Sequence, residues 1–128
     1  MLDHITIGVD DFDRAKAFYD QALAPLGVER IVFVTAEMTG GEAYVGYGEA
    51  GQPYFWFHGA GATTGTMHFA FSAASRAMVD AFHAAALAAG GTDNGAPGLR
   101  PHYDPHYYGA FVLDPEGRNI EAVCRKPE

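Results

Sequence analysis

Sliding the 128-residue sequence along itself by sixty-four positions superimposes like on like. His4 falls on His68, Phe18 on Phe82 and Leu23 on Leu87, while Ala17, Ala22 and Gly27 fall on Ala81, Ala86 and Gly91. Such self-similarity means that the chain folds as two like units, neither of which needs a core of its own size. Each half opens with a histidine-bearing strand and runs into an amphipathic helix that stops at glycine.

The helices have legible starts and stops. Asp11 is placed to cap "FDRAKAFYDQALAPLG", with Phe12, Ala15, Phe18, Ala22 and Leu26 on one stripe. Ser75 caps "RAMVDAFHAAALAAGG", with Met78, Val79, Phe82 and Ala86 inward and Gly90-Gly91 ending it. Phe18, Phe82 and Leu87 read as core. Strand runs follow each helix: "VERIVFVTAE", "EAYVGYG" and "PYFWFHG" in the first half. In the second come a weak strand near Thr92, a loop through "NGAPGLRPHYDPHY", then "YGAFVLD" and "NIEAVCR" joined by "DPEG". The expected fold is α+β: two βαβββ modules forming a curved, mainly antiparallel cup with helices outside. One domain covers residues 1–128, with module one at 1–58, a glycine-rich linker at 59–65 and module two at 66–125.

Composition narrows the function. A net charge of −8 disfavours nucleic acid and anionic membrane surfaces, which need basic patches. No apolar run reaches the length of a membrane span, and the N-terminus does not read as a signal peptide. The single Cys124 lies on the apolar side of a strand, which fits a buried thiol and a reducing cytoplasm.

The pleat sorts the strand faces. His4, Thr6 and Gly8 oppose Ile5, Ile7 and Val9, and His68, Ala70 and Ser72 oppose Phe69, Phe71 and Ala73. One face of each strand is therefore small or polar and carries an imidazole, which suits the lining of a concavity.

The stretches "LDHITIGVDDFDRAKAFYDQALAPLG", "GTMHFAFSA" and "GAFVLDPEGRNIEAVC" resemble the vicinal oxygen chelate superfamily, which includes glyoxalases, bleomycin-resistance proteins, fosfomycin-resistance transferases and extradiol dioxygenases. The resemblance implies a cup of paired βαβββ modules, a homodimer, and a divalent metal on the concave face. Its metal positions correspond to His4 and His68 on the first strands and Glu121 on the last. The residue types agree: a mid-strand carboxylate needs a partner, and two imidazoles with one carboxylate suit Fe2+, Mn2+ or Zn2+ with positions left for substrate.

The chain departs from the glyoxalase I pattern at the fourth ligand. The repeat maps that place to Phe57, and the turn glycines map it to Phe55; both read as an apolar pocket wall, with Trp56 opposite. Extradiol enzymes space a histidine, a tyrosine and the ligand glutamate as His102, Phe111 and Glu121 stand here, so Phe111 lacks the hydroxyl and Tyr108 is the neighbouring one. The expectation is a small-molecule metalloenzyme, of dioxygenase, lyase or isomerase type, acting on vicinal oxygens. His102 serves as proton carrier in this reading, and Phe55, Phe57, Tyr108 and Phe111 shape the pocket. The alternative is a metal-free small-molecule binding protein. His58 and His83 read as loop and solvent-facing residues.

Overall fold

The computed structural model describes residues 1–128 and is α+β throughout. Module one contains β1 (Ile5–Gly8), α1 (Phe12–Ala22), a 3-10 turn (Ala24–Leu26), β2 (Glu29–Val34), α2 (Ala36–Thr39), β3 (Tyr44–Glu49) and β4 (Gln52–His58). Module two contains β5 (His68–Ser72), α3 (Arg76–Ala88), β6 (Thr92–Leu99), β7 (Tyr108–Leu113) and β8 (Asn119–Cys124). Each module makes one four-stranded mixed sheet, in the orders β1-β4-β3-β2 and β5-β8-β7-β6. First and last strands pair in parallel and the others antiparallel. Neither sheet closes into a barrel.

Local signals account for the helices. The Asp11 and Ser75 side chains accept the N–H groups of Arg14 and Met78, satisfying donors that the first helical turn leaves free. The 3-10 turn ends at Gly27, whose φ of 77° is open to glycine at little cost. One core joins the two modules: Phe18, Tyr19, Phe55, Phe57, Phe71, Val79, Phe82 and Ile120 are buried together. Leu87, expected inside, is exposed, because it stands off the buried stripe of Val79, Phe82 and Ala86. His83 is not solvated either; its ring is mostly covered and bonds Asp93 at 2.9 Å.

Two stretches differ from their expected reading. The "TAE" end of the second strand run turns into the short helix α2, capped by Thr35. The expected loop after Thr92 is the eight-residue strand β6, bulged around Gly95 and containing Pro97. β6 is an edge strand, where a proline breaks no ladder on its free side.

A polar clasp holds the modules at a fixed angle. The buried Arg118 donates to Asp114 at 3.3 Å, to Glu116 at 3.1 Å and to the Gly8 carbonyl at 2.9 Å. Glu116 accepts the N–H groups of Asp10 and Asp11, and Asp114 accepts the Tyr19 hydroxyl at 2.6 Å. The β7–β8 turn of module two is thereby bonded to the β1–α1 junction of module one. No helix is long and apolar enough to cross a membrane.

Candidate functional site

The sheet faces turned away from the helices carry the site residues. In β5, Phe71 is buried while His68, Ala70 and Ser72 are exposed. In β8, register pairs Ala70 with Glu121 and His68 with Asn119, which brings the imidazole and the carboxylate side by side. His68 Nε2 lies 2.8 Å from Glu121 Oε1. Only 2% of the Glu121 side chain is exposed, against 43% for His68. A carboxylate buried this deeply requires partners for both oxygens, and the second accepts the hydroxyl of Tyr107.

The surroundings hold this pair in one arrangement. The Asn119 side-chain amide lies 2.6 Å from His68 Nδ1, which holds the ring with Nε2 turned to Glu121. Asn94 in turn donates to Asn119 Oδ1 at 3.2 Å. Gly109 supplies room: a Cβ there would press to 3.1 Å on both Glu121 Oε2 and the Tyr107 ring. Burial and the bond to Glu121 push the Tyr107 hydroxyl up to about 12, so it remains a donor at neutral pH. The Arg125 guanidinium lies over the Tyr107 ring at 4.8 Å and bonds Asp104 at 3.0 Å, which fixes the loop between β6 and β7.

His68, Glu121, Tyr107, Asn119 and Arg125 line a cleft of about 660 Å³. Phe111, opposite Glu121 in the β7–β8 register, forms one wall with its ring 5.9 Å from that of His68. His102 borders the same cleft, its ring 4.2 Å from Tyr103. His68, Glu121, His102 and Phe111 are therefore together on module two.

Other expected site residues lie elsewhere. Tyr108 faces the helix side, where it bonds Asp80 at 2.7 Å under the Arg76 guanidinium. Phe57 is wholly in the core, whereas Phe55, 1% exposed and wedged against Tyr19 and Phe71, lines a cleft together with His4 and His68. The cleft-facing residue of β4 is Trp56, paired with Thr6. The reason is a one-residue slip: Thr6 corresponds to Ala70, so Trp56 rather than Phe57 is the counterpart of Glu121. His58, expected in a loop, ends β4 and borders the same module-one cleft as His4, Thr6 and Trp56.

His4 is 57% exposed and bonds Asp3 at 2.6 Å. It shares with His68 a further cleft of about 470 Å³, but Glu121 does not line that cleft. Within one chain no three His, Cys, Asp or Glu side chains converge as metal ligands do. The pair on module two does fit two coordination positions. Its donors stand 2.8 Å apart, close to the ~3 Å between neighbouring ligands of a six-coordinate ion with bonds of ~2.1 Å.

Residues 1–122 match the model of the Glyoxalase/Bleomycin resistance protein/Dioxygenase superfamily. The chain belongs to this superfamily. A glyoxalase/bleomycin resistance protein from Albidiferax ferrireducens is similar at 32% identity and a TM-score of 0.77, over 96% of this chain and 97% of that one. A glyoxalase/bleomycin resistance protein/dioxygenase family enzyme from Burkholderia phytofirmans shares the fold at 22% identity and a TM-score of 0.70, over 98% of each chain. Glyoxalase I from Zea mays shares it at 20% identity and a TM-score of 0.69; the likeness covers 99% of this chain and 45% of that one. No curated protein matches the chain.

Proposed function

We propose that this superfamily member is an enzyme acting on a small molecule with adjacent oxygen atoms, with the His68–Glu121 pair as its chemical centre. The observation that supports this most is the buried Glu121 carboxylate, held between the Tyr107 hydroxyl and His68 beside an open cleft. An acid held at the bottom of a cleft with both oxygens oriented is expensive to bury, which supports a role in chemistry or binding.

His68 and Glu121 would hold a divalent ion, Fe2+, Mn2+ or Zn2+, with His4 of a second copy as the third ligand. When bound, the ion would polarise the substrate oxygens. Tyr107 keeps one Glu121 oxygen engaged, so the other is aimed at His68. Asn119, beside Nδ1, orients the imidazole so that Nε2 would face the ion. His102, at the cleft mouth, would carry a proton between substrate and water, and Phe111 would hold an apolar part of the substrate. The reading includes a homodimer, because His4, its third donor, does not line the Glu121 cleft of its own chain. The reading includes a cytoplasmic setting, which a lone cysteine suits, and a small molecule as partner rather than nucleic acid or a membrane surface.

Absence of a three-donor group within one chain favours a second reading, a metal-free binding protein. Titration with Fe2+, Mn2+ and Zn2+ separates the two. The enzyme reading expects one ion per chain, weakened at least about 100-fold by His68→Ala or Glu121→Gln. Retention of no metal by the wild-type protein, or equal affinity in both variants, would leave only the binding reading.

A further inference from the structure

We infer that Asn94, acting through Asn119, selects which nitrogen of His68 carries the ring proton, a positioning role that rests on the ion proposed at the His68–Glu121 pair. Two carboxamides stand in a row that ends at the imidazole. The Asn94 amide lies 3.2 Å from the Asn119 amide, which lies 2.6 Å from His68 Nδ1. Asn94 reaches this row by a bulge. Register in the β6–β7 pair jumps from Asp93 opposite Val112 to Gly95 opposite Phe111, so Asn94 is the extra residue. The bulge is fastened from the α3 side: Asp93 Oδ1 accepts the Gly95 N–H at 3.0 Å and lies 2.9 Å from His83 Nε2. Only glycine suits the following position, where φ is 153° and a Cβ would meet the Phe111 ring at 2.9 Å. Asn94 is thus presented in a fixed place beside Asn119.

Chemistry gives the row a polarity. A neutral imidazole that binds an ion through Nε2 keeps its proton on Nδ1, where it needs an acceptor. Without an ion, the ionised Glu121 carboxylate beside Nε2 accepts only, so it favours the proton on Nε2, and Nδ1 then needs a donor. A carboxamide offers an oxygen at one end and two N–H groups at the other in nearly the same shape. Asn119 therefore serves either state by turning over, and Asn94 keeps its bond to Asn119 by turning over in step. A side chain at position 94 with acceptors alone would hold the Asn119 oxygen towards Nδ1. That is the polarity an ion on Nε2 requires.

Asn94→Asp supplies that acceptor-only side chain. Nitrogen NMR of the imidazole, recorded without metal at about pH 9, where an ordinary histidine ring is neutral, reads the proton's position directly. The His68 signals are assigned by their loss in His68→Ala. Asn94→Asp should raise the share of ring protonated on Nδ1 above that of the wild type. Its affinity for Mn2+ or Zn2+ should rise about fivefold, and Asn94→Ala should lower it about threefold. In an Asn119→Ala background, Asn94→Asp should change affinity less than about twofold, the part due to charge alone. The NMR arm needs no ion, so a wild-type protein that takes up no metal defeats the metal reading while the ring proton still decides this one. A ring proton unmoved by Asn94→Asp, or the same gain in affinity with and without Asn119, would overturn the inference.

Discussion

The Tyr107 hydroxyl is the least conspicuous part of the site and the one with the sharpest consequences. Tyr107→Phe removes a donor from a buried carboxylate oxygen, which should cost about 1–3 kcal/mol of stability in urea unfolding. Affinity for divalent metal should also fall about 10–100-fold, because the remaining oxygen is no longer held towards His68. Unchanged metal affinity in a destabilised protein would make Tyr107 merely structural. The hydroxyl titrates near 12 in the folded chain, so any stability it links to pH is present below about 10 and lost above it. Sequence reading chose Tyr108 over Tyr107, although a parity signal was available. Tyr107, immediately before β7, shares the parity of Gly109 and Phe111, opposite to Tyr108, Ala110 and Val112, so a pocket-facing Phe111 already implied a pocket-facing Tyr107.

At the scale of elements, the periodicity of two and the helical stripes were readable, and the structure follows them for β1, β5, α1 and α3. What the sequence left obscure was register between separated strands. Counting along the repeat puts Phe57 on the pocket face, yet the hairpins differ by one residue and a slip of one inverts the face. The clasp was equally hidden, because it joins positions 95 to 110 residues apart. It predicts a pH response. Burial alone would raise the Glu116 carboxyl, but the N–H groups of Asp11 and Asp10 and the Arg118 guanidinium hold it below the ordinary value. A carboxyl depressed on folding stabilises above its unfolded value of about 4.3 and loses that contribution as pH falls through the folded value. Urea midpoints followed downwards from about pH 6 should therefore fall more steeply for the wild type than for Glu116→Gln; parallel curves would contradict the assignment. A stronger lesion is Arg118→Met, which strands the buried Asp114 charge and should cost about 3–5 kcal/mol.

For the whole molecule, the repeat made a two-module α+β chain legible, but the mutual orientation of the modules depends on buried polar groups that no pattern reveals. That orientation is what leaves His4 outside the cleft that Glu121 lines. The central claim is that the metal site is completed between two copies, and mixing complementary variants tests it most directly. His4→Ala and Glu121→Gln chains, each deficient alone, are unfolded together, refolded in equal amounts and assayed for bound divalent metal. Random pairing makes half the dimers mixed, and each mixed dimer regains one of its two sites, so about a quarter of wild-type metal capacity should return. A mixture that binds no more metal than either variant alone would contradict the account.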